Sequence, residues 1–194
     1  MRSICVYCGS ADGVREEYLR AARHLGEVLA RRNLRLIYGG GKTGLMGALA
    51  NGALAAGGEV IGVIIPSMNT PALAHSGLSA LEVVPDMHTR KARMHELADG
   101  YIALPGGFGT FDELFETITW AQIGHHHKPI GLLNVRGYFD RLLAALDYAV
   151  AEGFIFKEHR EALLAHEEAE ILLDLMGNHR PPLDAIRRWM RQEG

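Results

Sequence analysis

Cysteine is nearly absent from this chain of 194 residues: Cys5 and Cys8 are the only two. Two cysteines cannot build a secreted disulfide framework, and a zinc site would need ligands from elsewhere. Cys5-x-x-Cys8 has a redox spacing, but Cys5 lies inside a strand-like run and not at a helix start, where a thiolate is favoured. Both are read as small core residues at the end of a strand. Long apolar runs are missing too. The opening MRSICVYCGS breaks its apolar run too early for a signal-peptide core, and no later stretch reaches ~18 apolar residues. A cytoplasmic protein without a membrane partner is expected. No long basic run occurs, and 20 Lys and Arg stand against 23 Asp and Glu. That disfavours a nucleic-acid partner while leaving room for a local basic pocket. With 48% apolar residues, disorder is excluded. Glycine is in excess, 23 of 194 residues, about 12% against a usual ~7%.

The chain alternates strand-like and helix-like segments. ICVYC, LRLIY, EVIGVIIP, LEVV, YIALP and PIGLLNV read as strands. Residues 14–32, the small-residue run after GGGKTG, 87–99, 110–123 and 138–152 read as helices. Ser67 to Ala80 reads as a loop, and everything after 152 as helical with breaks at Gly177 and Pro181–Pro182. The alternation predicts an α/β fold: a Rossmann-like, doubly wound parallel sheet with helices on both faces. One domain over 1–180 is expected, with 181–194 a C-terminal helical tail packed on it, LDAIRRWMRQ, whose Trp189 docks on the body and whose arginines face solvent.

In such sheets ligands bind outside the carboxyl ends of the strands, and both glycine clusters fall there. The first, Gly39 to Gly44, satisfies G-x-G-x-x-G. A dinucleotide would also need an acidic residue at the end of the next strand; Glu59 has the spacing but opens that strand. A Walker A motif would need glycine where Leu36 stands. The cluster is left with simple phosphate contact or with tight-turn geometry alone. The second, PGGFGTFDE, is more informative. Pro105 ends a strand, Gly106, Gly107 and Gly109 free the backbone, and Thr110 stands where a helix N-cap belongs, an anion-binding arrangement. Thr110-x-x-Glu113 is equally a capping box, in which Glu113 only caps its own helix. At 100° per residue, Phe111, Leu114, Phe115 and Ile118 form the core stripe, with Glu113, Glu116 and Trp120 opposite. Trp120 needs burial, most simply against a second subunit.

In MHTRKARMHELAD the apolar stripe is Met87, Met94, Leu97 and Ala98, and Arg90 and Lys91 fall on it. They either snorkel from a buried face or line an anionic pocket with the neighbouring PGGFGT. The triplet His125-His126-His127 points in three directions and is not read as a metal site.

YGGGKTGLMG, MHTRK and PGGFGTFDELFETITWAQ resemble the LOG (Lonely Guy) family of cytokinin riboside 5′-monophosphate phosphoribohydrolases, over nearly the whole chain. The resemblance implies hydrolysis of the N-glycosidic bond of N6-modified adenosine monophosphates, no cofactor or metal, and a homodimer. It places the catalytic pair on Arg90 and Glu113, and nucleotide contacts on Lys91, Gly107, Phe108, Gly109, Thr110, Phe111, Asp112, Glu113 and Thr119. Gly41, Met87, Gly106 and Glu116 complete the candidate substrate-binding set. Asp112 stands where the family often has glutamate. Plant members use an acidic residue in the loop after the third strand, and PALAHSGLSA has none. No pyridoxal-lysine motif is present. The rival readings are a broader purine monophosphate nucleosidase, a non-catalytic nucleotide carrier and, last, a nicotinamide oxidoreductase.

Overall fold

The first strand, β1 (Ser3–Tyr7), is buried at every residue, as a central strand covered on both faces must be. A computed structural model describes residues 1–191. The chain continues through α1 (Glu16–Arg31), β2 (Arg35–Tyr38), α2 (Gly44–Ala55), β3 (Val60–Ile64), β4 (Ala80–Val83), α3 (Met87–Leu97), β5 (Gly100–Ala103) and α4 (Phe108–Gln122). After these come β6 (Ile130–Leu133), α5 (Asp140–Ala151), α6 (Lys157–Glu161), β7 (Leu163–His166), α7 (Ala169–Gly177) and α8 (Leu183–Trp189).

The sheet order is β4-β3-β2-β1-β5-β6-β7, and every pairing is parallel. Side chains alternate through it with a period of two. Ile4, Val6 and Cys8 join the core under α1, α2 and α7, while Cys5 and Tyr7 join the one under α3, α4 and α5. The sheet is therefore doubly wound, as the alternation of segments requires. The chain runs outward from β1 to β4, then returns beside β1 as β5. This reversal opens a crevice at the carboxyl ends of β1 and β5.

One element departs from the sequence reading. Residues 163–166, taken there as helical, form β7 at the sheet edge. EALLAHEEAE is rich in helix formers, so local propensity points the wrong way; pairing Leu163–His166 along β6 overrides it. At the C-terminus, Ala185 and Ile186 of α8 are buried. Trp189 lies edge-on to Phe156 with ring centroids 5.7 Å apart, and Arg188 covers the same ring. Gln192 of the expected tail helix lies outside the described residues. Cys5 and Cys8 are buried as expected, and burial pushes both thiols up, which leaves them uncharged at neutral pH.

Candidate active site

Helix α3 is set in place by its first residue pair. Asp86 caps it, accepting the Thr89 amide at 2.8 Å and the Thr89 hydroxyl at 2.8 Å. One turn later Arg90 points inward and is only 6% exposed. Its guanidinium is held on several sides. Nε donates to the Val63 carbonyl at the end of β3 (2.9 Å), and one terminal nitrogen donates to Glu113 Oε1 (3.0 Å) and touches the Met87 sulfur at 3.4 Å. The other lies against Gly39, where any side chain would overlap it. Gly39 thus makes room for the cation, whereas Gly40 and Gly44 carry positive φ and serve the turn itself.

Glu113 is 7% exposed on α4. Burial pushes its carboxyl up, opposed chiefly by the Arg90 charge and hydrogen bond, and the net direction is upward. The capping-box reading is overturned. Helix α4 starts at Phe108 with Gly107 as its cap, two residues before Thr110, and the Glu113 carboxylate turns to Arg90 instead of its own helix. The stripe assignment also shifts. Thr110, Glu113, Leu114 and Thr117 form the buried face, while Phe115 is 40% exposed. The ion pair, with the polar side chains beside it, rotates the helix away from its most apolar orientation.

The two glycine loops differ in what they offer an anion. At α2 the chain fills its own helix end: Asp12 accepts the Gly44 amide at 3.0 Å and the Gly9 carbonyl accepts Leu45 at 3.0 Å. At α4 the first intrahelical bond runs from the Phe111 amide to Gly107, so the amides of Phe108, Gly109 and Thr110 precede it. No side chain caps this end and no carboxylate sits in its first turn. The anion-binding end of the cleft is therefore α4.

Between these walls lies a cleft of about 440 Å³, within the size range of small-ligand sites. It takes in Gly41, Met87, Arg90, Gly107, Phe108, Gly109, Thr110, Asp112 and Glu113 from the sequence-derived set. Phe108 stands 97% exposed at its mouth. The structure adds Cys8, Ser10, Gly39, Thr43, Met46, Ile64, Met68 and Leu73. Met68 and Leu73 come from the 66–79 loop, which is latched over the first glycine loop by Lys42 N to Leu73 O (2.9 Å) and His75 N to Gly40 O (3.0 Å). Such long-range latches leave no local sequence signal. Asp12-Gly13, a turn signal, was the one available hint that α2 is capped from the β1 loop.

Five of the sequence-derived residues lie outside the cleft lining: Lys91, Gly106, Phe111, Glu116 and Thr119. Lys91 spans α3 and α4, bonding Asp112 at 3.1 Å and Glu116 at 3.0 Å. Burial opposes its charge, but these two carboxylates outweigh that and hold its pKa above the usual value. Phe111 packs into the core beneath α4. Thr119 is exposed and its hydroxyl bonds the Phe115 carbonyl at 2.7 Å. Of the histidine triplet, His126 is buried and bonds the Thr117 carbonyl at 3.0 Å. Among the described residues no three His, Cys, Asp or Glu side chains are placed to hold a metal ion, and no helix is long and apolar enough to cross a membrane.

Comparison with known proteins gives a consistent result. Residues 46–176 match the sequence model of a family described as "Possible lysine decarboxylase". The chain is 43% identical over 189 residues to the probable cytokinin riboside 5′-monophosphate phosphoribohydrolase LOGL3 of Oryza sativa subsp. japonica, covering 97% of this chain and 90% of that protein. It is 45% identical over 180 residues to the cytokinin riboside 5′-monophosphate phosphoribohydrolase LOG3 of Arabidopsis thaliana, covering 93% and 84%. Among solved structures, the molybdenum cofactor binding protein of Rippkaea orientalis superimposes with a TM-score of 0.68 at 23% identity, over 92% of this chain and 97% of that one. The molybdenum cofactor carrier protein of Chlamydomonas reinhardtii gives 0.63 at 18%, over 98% of each chain. At these identities the structural matches speak for the fold alone. The sequence relatives speak for more, and by them the chain belongs to the LOG phosphoribohydrolase family.

Proposed function

We propose that this protein hydrolyses the N-glycosidic bond of N6-substituted adenosine 5′-monophosphates, releasing the free base and ribose 5-phosphate. The observation that carries this reading is the buried Arg90–Glu113 pair, 3.0 Å apart, in a cleft whose neighbouring wall is the uncapped start of α4. A nucleoside monophosphate matches that order of groups. Its phosphate meets the α4 amides and its ribose meets Glu113, leaving the base to the methionine-rich wall under the 66–79 loop.

The chemistry follows from charge. As the C1′–N9 bond breaks, positive charge develops on the ribose and the bond's electron pair moves to the purine. Water supplies the oxygen that bonds to C1′, and its proton balances the departing base. Glu113 stabilises the oxocarbenium-like sugar and orients or deprotonates the water. Arg90 keeps that carboxylate ionised in a buried site and offers its remaining donors to the leaving base or the nucleotide. Binding energy from the remote phosphate assists the reaction at C1′, which favours a monophosphate over a nucleoside.

Incubating the pure protein with isopentenyladenosine monophosphate and with AMP, without added metal or cofactor, tests this. Free base is expected from the prenylated nucleotide, followed by chromatography. Saturable nucleotide binding with no base released would leave a carrier instead.

The protein is further proposed to act as a homodimer in the cytoplasm. Trp120 is half-buried, packed edge-on against His95 at 4.7 Å. Phe108 and Phe115 lie exposed along the same helix, and Ile123 is exposed at its C-terminal cap. Thr119 is exposed on that helix and lies outside the lining of its own cleft, which leaves it free to face a partner subunit. Sedimentation is expected to show a dimer, and Phe115→Asp is expected to split it; a wild-type monomer would remove this interface.

A further inference from the structure

Tyr138 belongs to neither the cleft lining nor the core, yet its hydroxyl donates to the Gly106 carbonyl at 2.6 Å. It reaches there from the turn between β6 and α5, at the same end of the sheet as the glycine loops. That turn is tightly specified. Gly137 and Arg136 both carry positive φ, Asn134 accepts the Phe139 amide at 2.7 Å, and the Tyr138 amide bonds the Val135 carbonyl at 3.1 Å. The Tyr138 ring is flanked edge-on by Tyr18 at 6.0 Å and Phe139 at 5.1 Å. A ring held on two sides presents its hydroxyl at a fixed point.

The consequence lies in the next peptide unit. In a planar trans peptide the carbonyl and the following N–H point in opposite directions, and no cis bond occurs among the described residues. Holding the Gly106 carbonyl on Tyr138 therefore turns the Gly107 N–H the other way. Gly107 lines the cleft and Gly106 does not. Neither glycine has a side chain to fix the rotation of this peptide; Gly106 packs against Thr110 and Gly9, and the Tyr138 hydroxyl is the hydrogen bond that holds its carbonyl.

We propose that Tyr138 is a positioning residue for the phosphate end of the site: it holds the Gly106–Gly107 peptide so that the Gly107 amide joins those of Phe108, Gly109 and Thr110 in receiving the anion. The inference rests on the proposed placement of a phosphate at α4. It makes Tyr138 specific for the charged end of the ligand, without a part in bond cleavage.

Tyr138→Phe keeps the ring and removes only the hydroxyl, so the packing on Tyr18 and Phe139 persists. The expected result is a roughly tenfold rise in the dissociation constant of ribose 5-phosphate by isothermal titration, about 1.4 kcal/mol. KM for the nucleotide rises in parallel, kcat stays within about twofold, and binding of adenosine, which has no phosphate, does not move. The melting temperature separates this from a folding defect. Unchanged ribose 5-phosphate binding in Tyr138→Phe overturns the proposal, as does an equal loss for adenosine. The titration needs no turnover, so it stands even where the wild type releases no base. Nucleotide hydrolysis by the wild type together with equal ribose 5-phosphate affinity in the wild type and Tyr138→Phe sinks the tether and leaves the reaction standing.

Discussion

Glu113→Gln is expected to lower kcat by about 1,000-fold or more, while the protein stays folded and still binds nucleotide. The expectation comes from what glutamine keeps and what it loses. Its side-chain carbonyl can still accept from Arg90, and Arg90 retains the Val63 carbonyl at 2.9 Å. The buried cation is not stripped of partners, so most of the several kcal/mol cost of orphaning a buried ion is avoided. What glutamine cannot do is carry negative charge beside a sugar that becomes positive, or take a proton from water. Glu113→Ala should show the contrast, losing turnover and also melting at a lower temperature, because there the guanidinium loses its acceptor in a dry site. Single-turnover base release and thermal melts on the two variants check both halves. Wild-type turnover in Glu113→Gln removes the carboxylate from the mechanism.

Much of this arrangement is legible in the sequence because it is written in short motifs at strand ends. PGGFGT follows YIALP directly, so the loop-to-helix junction must sit at the sheet's carboxyl edge. Arg90 betrays itself as a cation on an apolar stripe, and the structure places it 6% exposed. The helix carrying Glu113 misleads by the same logic. Read as an amphipathic helix, α4 should bury Phe115 and expose Glu113; it does the reverse because a partnered carboxylate inside outranks a phenylalanine left for the surface. Periodicity assumes that charge faces water, and it fails where charge has a partner across the core. The other omissions are long-range. Asp12 capping α2, the 66–79 loop latched over Gly40 and Gly41, and Tyr138 reaching Gly106 are contacts between segments 30 or so residues apart in the chain. Apart from the Asp12-Gly13 turn signal, nothing local in the sequence announces them. The edge strand β7 is missed for a different reason: four residues with helical propensity take their conformation from β6.

Arg90→Lys is expected to cost about 100-fold in kcat/KM, and the loss should depend on pH in a definite direction. Lysine keeps the charge but not the fork. One ammonium cannot satisfy the Val63 carbonyl, the Glu113 carboxylate and the space beside Gly39 with the geometry the guanidinium uses. The pull on Glu113 weakens, while the desolvation that raises its pKa remains. The sign follows. Glu113 works as the carboxylate, so activity falls as pH drops through its pKa. Because that pKa is raised in the folded protein, the acid limb of kcat/KM in the wild type should lie above the ~4.3 of an ordinary glutamate. In Arg90→Lys it should move higher still, and raising the pH should recover part of the lost rate. Arg90→Ala should move it furthest and lose about 1,000-fold, with only the weaker pull of Lys91 left to hold the charge. A pH–rate profile of the three proteins decides the matter. If Arg90→Lys is slow but its acid limb coincides with the wild type's, the arginine acts on the nucleotide alone, and its hold on the Glu113 charge is not part of the chemistry.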